Sequence, residues 1–123
     1  MNILIVDDTS ETRDLFQLCF VSEGHTAETA HNGQEALRIV EESGKSLDVI
    51  IMDYHMWGMT GLEVVRKIRK MKNLTPIPVI LYTADPNEKV EREAQKLGVD
   101  CVVQKPALPN HMIAIAEELV KGT

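Results

Sequence analysis

The sequence is poor in cysteine, in net positive charge and in long hydrophobic runs. Its two cysteines, Cys19 and Cys101, lie inside apolar stretches without a metal-type spacing, which favours a reduced chain in the cytoplasm. The 13 basic residues against 19 acidic ones argue against a protein whose main role is to bind nucleic acid or an anionic membrane. No apolar run approaches the ~18 residues of a membrane span, and Asp7 and Asp8 follow the first run too soon for a signal peptide.

The sequence does contain enough apolar material for a hydrophobic core. Its 123 residues are 44% hydrophobic, which fits one domain and excludes the disordered and collagen-like classes. No linker, low-complexity segment or long charge run marks a boundary between domains. We therefore expect residues 1–123 to form a single domain.

Short apolar runs alternate with amphipathic segments along the chain. Strands are predicted at residues 3–6, 49–52, 79–82 and 101–103, with a weaker edge strand at 25–30. Continuous apolar runs are typical of strands that are buried on both faces of a parallel sheet. Together with the helical segments between them, they predict an α/β fold: a doubly wound five-stranded parallel sheet with five helices.

Three of the predicted helices begin with explicit capping signals. Asn32 and Thr60 each stand three residues before a glutamate, and Asp85 does the same with Pro86 after it at the first helical position. The first and last helices are predicted to begin near Ser10 and near residue 109. Their predicted buried faces are Leu15, Leu18 and Cys19 for the first, and Met112, Ile115, Ala116 and Leu119 for the last.

Polar side chains stand at the carboxyl ends of the predicted strands, where ligands bind in sheets of this type. Three carboxylates gathered there would repel one another, and a hard divalent cation such as Mg²⁺ relieves that repulsion through oxygen ligands. A carboxylate beside such a cation can accept a phosphoryl group as an aspartyl phosphate. The residues concerned are Asp7 and Asp8 after the first strand, Asp53 after the third, Thr83 and Ala84 after the fourth, and Lys105 and Pro106 after the fifth.

Asp53 is the predicted phosphoryl acceptor because it stands alone on the central strand, whereas Asp7 and Asp8 form a pair suited to the metal. Lys105 supplies a positive charge for a phosphoryl group, and the Thr83 hydroxyl can donate to one of its oxygens. Each of these residues has an ordinary alternative as a turn, cap or surface residue. The combination favours the functional interpretation.

Six stretches resemble the receiver domain of two-component response regulators, over essentially the whole chain. The resemblance implies the flavodoxin-like strand order 2-1-3-4-5. The matching stretches are ILIVDD at residues 3–8, NGQEAL at 32–37, DVIIMD at 48–53, MTGLE at 59–63, TA at 83–84 and KP at 105–106.

The resemblance also implies a role for each matched residue. Asp53 would receive the phosphoryl group from a phosphohistidine of a sensor histidine kinase or phosphotransfer protein. Asp7, Asp8 and Asp53 would hold Mg²⁺ together with the backbone carbonyl of His55. Lys105 would contact the phosphoryl group, and the Lys105–Pro106 peptide bond would be cis.

The same resemblance assigns residues to switching and to the lifetime of the phosphorylated state. Thr83 would move toward the phosphoryl group to report phosphorylation, with Ala84 beside it in the switch, and His55 and Asp85 would flank the path of an attacking water. Where the family usually has an aromatic residue, this chain has Val102, so we expect switching through backbone or loop shifts. Trp57 replaces a usual proline and Ala107 a frequent phenylalanine.

Three other classes remain as alternatives. A flavodoxin-like cofactor binder should offer hydroxyl and glycine residues in the first loop, where this chain has Asp7 and Asp8. A phosphatase of the haloacid dehalogenase type should have one residue between those two aspartates; here they are adjacent, so this match fails. A receiver-like module that works without phosphorylation is disfavoured by the complete acidic and basic set, although Val102 and Trp57 keep it open.

The kind of partner is predicted from the absence of a second predicted domain in this sequence. We expect the chain to act through an unknown downstream protein rather than on nucleic acid or a membrane, with a weak homodimer through the last helix and strand left open. The basic residues on the third predicted helix are expected to form a solvated face. They are Arg66, Lys67, Arg69, Lys70 and Lys72.

Overall fold

Five parallel strands form the sheet, in the order β2-β1-β3-β4-β5. This confirms the predicted doubly wound, flavodoxin-like α/β fold. The computed structural model of the chain describes residues 1–72, 74 and 76–121. The strands are β1 (Asn2–Val6), β2 (Thr26–Ala30), β3 (Val49–Asp53), β4 (Val79–Thr83) and β5 (Cys101–Gln104).

Two hydrophobic layers lie on opposite faces of this sheet because alternate side chains of a strand point to opposite sides. In β1, Leu4 and Val6 point into the layer on the first face of the sheet, whereas Ile3 and Ile5 point into the layer on the second face. Helices α2 (Gly33–Ser43), α3 (Gly61–Arg69) and α4 (Glu88–Lys96) cover the first face, and α1 (Ser10–Ser22) and α5 (Pro109–Lys121) cover the second. In the part of the chain that the structure describes, no helix is long and apolar enough to cross a membrane.

Two of the predicted helix caps are present. Asn32 Oδ1 accepts a hydrogen bond from Glu35 N at 2.8 Å, and Thr60 Oγ1 accepts one from Glu63 N at 3.2 Å. These side chains satisfy backbone donors that have no partner within the first turn of a helix.

The predicted start of the fourth helix is wrong. Asn87, not Asp85, caps α4, and its Oδ1 accepts a hydrogen bond from Val90 N at 3.0 Å. Asp85 belongs to a turn instead, since its N–H donates to Thr83 Oγ1 at 3.1 Å and its carbonyl accepts from Asn87 N at 2.9 Å. The turn after β4 therefore delays the helix by two residues.

The predicted buried face of α1 is also wrong. Leu15 and Leu18 are 49% and 67% exposed, and Cys19 is half-buried, whereas Phe16 and Phe20 are almost completely buried. The aromatic pair at i and i+4 has more apolar surface to bury, so the helix turns that stripe to the sheet. On α5 the predicted Met112 and Ala116 are buried together with Ile113, and the predicted Ile115 and Leu119 are partly buried.

The basic residues of α3 are not uniformly solvated, as the sequence had suggested. The Arg69 guanidinium donates to the carbonyls of Leu97, Ile77 and Gly98 at 2.9, 2.8 and 3.1 Å. Burial lowers the pKa of Arg69, although Asp100 opposes the shift. Arg69 therefore ties the end of α3 to the segments before β4 and β5.

Candidate functional site

Three carboxylates meet at the carboxyl ends of β1 and β3. Carboxylate oxygens of Asp7, Asp8 and Asp53 all lie within 4.8 Å of one another. Asp7 and Asp53 are buried, and Asp8 is exposed to solvent. The parallel sheet thus brings together the three acids that the sequence had singled out.

Lys105 contacts one of these acids. Its Nζ lies 2.8 Å from Asp53 Oδ1 in an ion pair, and a third of the lysine side chain remains exposed. Apart from this contact with Lys105, Asp53 Oδ1 has no hydrogen-bond partner among the described residues. Burial raises the pKa of Asp53 to about 6; Lys105 counteracts the rise, and Asp7 and Asp8 add to it.

Asp7 is held by hydrogen bonds to both of its carboxylate oxygens. Oδ1 accepts from Thr9 N at 2.7 Å, and Oδ2 accepts from the hydroxyl of Tyr82. The backbone carbonyl of Asp7 also accepts from Arg13 Nη1 at 2.8 Å. The loop after β1 is therefore fixed in place before any ligand binds.

Tyr82 was missed in the sequence, where it counted only as an apolar strand residue. It is almost completely buried, and Lys105 Nζ lies 4.9 Å from the centre of its ring. Burial, followed by the hydrogen bond to Asp7, raises the pKa of Tyr82. A usable signal was present, because a tyrosine hydroxyl in a buried strand normally needs a hydrogen-bond partner.

Thr83 is the last residue of β4 and is completely buried. Its Oγ1 accepts from Asp85 N at 3.1 Å, and its carbonyl accepts from Lys105 N at 2.8 Å. Ala84 and Asp85 follow it in an exposed turn. The Lys105–Pro106 peptide bond is cis, the isomer that the resemblance implies.

The remaining candidate residues lie around this centre. His55 is exposed two residues after Asp53, and the Tyr54 and His55 rings meet edge to face at 4.7 Å. Trp57 is 91% exposed in the same loop. Val102 is placed away from the acids, within β5 opposite Leu81, and Ala107 packs against the layer under α1 and α5.

The start of α3 approaches the site closely. Gly61 N donates to Tyr54 O at 2.8 Å, and a Cβ at Gly61 would collide with the backbone carbonyl oxygen of Asp53. Only glycine lets the helix begin this near the end of β3. The loop that carries His55 is thereby closed against the strand.

The donor set fits a hard divalent cation. All the side-chain donors are oxygens, Asp8 is open to solvent, and the buried Oδ1 of Asp53 has no hydrogen-bond partner besides Lys105 among the described residues. Mg²⁺ prefers such sites, with few protein ligands and several waters.

Comparison with known proteins places this geometry in a family. A family model described as "Response regulator receiver domain" matches residues 3–117. The phosphate regulon regulatory protein PhoB of Pseudomonas aeruginosa is 26% identical over 98% of this chain and 52% of its own length. The two-component response regulator ARR22 of Arabidopsis thaliana is 34% identical over 86% of this chain and 74% of its own.

A solved structure agrees with these relatives. Chemotaxis protein CheY4 of Vibrio cholerae has a TM-score of 0.88 and 27% identity, covering 95% of this chain and 96% of that one. The chain spans about half the length of several curated relatives that it matches. It belongs to the response regulator receiver domain family, the signalling domain of two-component systems.

Proposed function

We propose that the chain accepts a phosphoryl group on Asp53 and signals this state to another protein. The donor is a phosphohistidine of a sensor histidine kinase or of a phosphotransfer protein. The observation that carries the proposal is the buried carboxylate of Asp53, which has Lys105 at 2.8 Å and oxygens of two further acids within 4.8 Å. This arrangement suits an anion and a divalent cation at adjacent positions.

In the transfer step, a carboxylate oxygen of Asp53 attacks the phosphorus atom of the donor. A P–O bond forms as the P–N bond breaks, and the imidazole of the donor leaves with the electrons of that bond. Asp53 must be ionised for this attack. Its pKa of about 6 leaves it mostly ionised at neutral pH even without a metal.

Lys105 and Thr83 then hold the transferred group. The Lys105 ammonium, now paired with Asp53, can pass to an oxygen of the phosphoryl group as the charge moves there. Thr83 Oγ1 accepts a hydrogen bond from Asp85 N, which leaves its own proton free for donation to the same group. The small side chain of Ala84 leaves room beside them.

Asp7, Asp8, Asp53 and the backbone carbonyl of His55 are proposed to hold Mg²⁺. When bound, Mg²⁺ offsets the negative charge that builds up as a phosphoryl group meets three carboxylates. Asp8 is exposed and so offers an open route to the site.

The phosphorylated state is proposed to be lost by hydrolysis at the same site. A water attacks the phosphorus atom, the bond to the Asp53 oxygen breaks, and inorganic phosphate leaves. His55 and Asp85 are both exposed to solvent, and they are proposed to flank the path of the attacking water. A dephosphorylation rate that is unchanged in Asp85→Ala would remove the assignment of Asp85.

Residues 1–123 are proposed to work as one domain in the cytoplasm. Because Val102 lies away from the acids and is not aromatic, the signal is proposed to pass through the turn of Thr83, Ala84 and Asp85 toward α4. The partner that reads it is a protein rather than nucleic acid or a membrane. Weak pairing of two copies through α5 and β5 is compatible with this scheme.

Incubation with Mg²⁺ and a small phosphodonor tests the proposal, with intact mass as the readout. We expect one added phosphoryl group in the wild type, and none in Asp53→Asn or when EDTA is present. Trp57, the only tryptophan, reports metal binding separately through its fluorescence. A wild-type mass that stays unchanged would contradict the proposal.

A further inference from the structure

We propose that Tyr82 is a positioning residue for the metal site, because its hydroxyl orients Asp7 for Mg²⁺ binding. The inference rests on the proposed function and extends it to a residue outside the matching sequence stretches. It assigns to Tyr82 an effect on metal affinity rather than on the transfer step itself.

The first observation is the hydrogen bonding of Asp7. One carboxylate oxygen is fixed by the backbone N–H of Thr9 at 2.7 Å, and the other accepts from the Tyr82 hydroxyl. Asp7 is only 1% exposed, so water cannot readily replace either donor. Without the hydroxyl, the carboxylate would keep one anchor and could rotate about it.

The second observation is that the same tyrosine contacts the phosphoryl side of the site. The Lys105 ammonium lies 4.9 Å from the centre of the Tyr82 ring, a cation–π distance. Phe16 packs against this ring with centroids 5.8 Å apart, which restricts its movement. One side chain therefore contacts both the acid that would hold the cation and the lysine that would hold the anion.

The hydroxyl is not needed to fill space. Phenylalanine at position 82 would occupy nearly the same volume beside Phe16 without burying a hydroxyl group. Among the described residues, Asp7 is the partner of the Tyr82 hydroxyl. Partners that orient a metal ligand typically change metal affinity by about 10–100-fold when they are removed.

The test compares Tyr82→Phe with Tyr54→Phe, since these are the two tyrosines of the chain and the substitution is the same. Mg²⁺ affinity is measured by calorimetry on each folded variant. We expect Tyr82→Phe to bind Mg²⁺ about tenfold more weakly than the wild type, and Tyr54→Phe to match the wild type. Unfolding without Mg²⁺ is measured in parallel to separate stability from affinity.

Phosphorylation by a small phosphodonor gives a second readout. For Tyr82→Phe, we expect a slower rate at limiting Mg²⁺ and recovery of the wild-type rate at saturating Mg²⁺. Equal Mg²⁺ affinities in Tyr82→Phe and the wild type would overturn the inference, as would a rate deficit that persists at saturating Mg²⁺. A wild type that binds no Mg²⁺ would instead contradict the proposed function.

A double-mutant cycle with Asp7→Asn covers the possibility that Tyr82→Phe folds poorly. The double variant lacks both the buried Asp7 charge and the Tyr82 hydroxyl that donates to it, so no buried carboxylate is left without its donor. If Tyr82 acts through Asp7, adding Tyr82→Phe to Asp7→Asn changes Mg²⁺ affinity less than twofold. A further tenfold loss in the double variant would show that Tyr82 acts by another route, and would overturn the inference.

Discussion

Asp53 meets two opposing requirements: it must be ionised to react, yet it is buried beside two other carboxylates. Burial raises its pKa, and the Lys105 ammonium limits the rise. A residue in this position is ready for a cation and an anion but destabilises the fold while both are absent. The Asp53 carboxylate is therefore the source both of this loss of stability and of the proposed function.

This conflict predicts a pH dependence of stability in the metal-free protein. The pKa of Asp53 is about 6 when folded, against an ordinary value of 3.8, so the folded state binds this proton more tightly. Its contribution to stability is therefore fully present below the ordinary value and is lost as the pH rises through about 6. Asp53→Asn should raise the free energy of unfolding at pH 7 by on the order of 2–3 kcal/mol, and change it little at pH 4.

Urea unfolding in EDTA at both pH values measures this difference. Comparing the two proteins at each pH cancels the titration of the other acids. An equal difference between variant and wild type at pH 4 and pH 7 would contradict the assigned pKa.

At the scale of elements, the capping residues and the glycine at the first position of α3 determine where helices meet the site. Gly61 is the clearest case, because the backbone of α3 begins against the Asp53 carbonyl. The cap at Thr60 and this glycine together fix the loop that carries His55.

Gly61→Ala should therefore affect both fold and site. The added methyl group must push α3 or the end of β3 aside, which we expect to lower the free energy of unfolding by about 1–3 kcal/mol. We also expect weaker Mg²⁺ binding, since the carbonyl of His55 lies in the displaced loop. Gly24→Ala is a control of a different kind: its Cβ would meet nothing within 4 Å, so strain from its positive φ affects stability alone.

The two faces of α1 give a second prediction at this scale. Phe20→Ala should lower the free energy of unfolding by about 3–5 kcal/mol because its ring is completely buried. Leu18→Ala, two residues away and 67% exposed, should change it by less than about 0.5 kcal/mol. Thermal or urea unfolding of both variants decides whether the helix faces the sheet as described.

The buried face of α1 and the start of α4 could not be predicted correctly from the sequence. Leucines and phenylalanines of α1 lie on neighbouring stripes, so periodicity alone could not choose the buried face; Phe16 and Phe20 pack into the layer between the sheet and α5. The sequence predicted Asp85 as the cap of the fourth helix, but the backbone N–H of Asp85 donates to Thr83 Oγ1 in a turn, and Asn87, two residues later, caps α4 instead. The hydrogen bond from Tyr82 to Asp7 needs a contact between β4 and β1, which no local pattern contains.

At the scale of the molecule, the sheet assembles the site from segments far apart in the chain. The apolar runs specified buried parallel strands, and the carboxyl ends of such strands share one edge. This is why Asp7, Asp8, Asp53, Thr83 and Lys105 could be grouped from the sequence. Their distances, burial and hydrogen bonds depend on side-chain packing and required the structure.

Mg²⁺ should stabilise the whole fold, because it binds the folded state and relieves repulsion among its acids. We expect millimolar Mg²⁺ to raise the unfolding midpoint of the wild type at pH 7, and to raise that of Asp53→Asn by less. At pH 5 the effect on the wild type should shrink, because Asp53 is then largely protonated. Differential scanning calorimetry with equal ionic strength in NaCl separates this effect from general screening.

The central claim is that Asp53, and no other acid of the cluster, forms the acyl phosphate. After reaction with a small phosphodonor and Mg²⁺, borohydride reduces an aspartyl phosphate to homoserine, which peptide mapping locates. We expect homoserine at position 53 in the wild type and none in Asp53→Asn. Homoserine at Asp7 or Asp8, or none in a wild type that binds Mg²⁺, would contradict it.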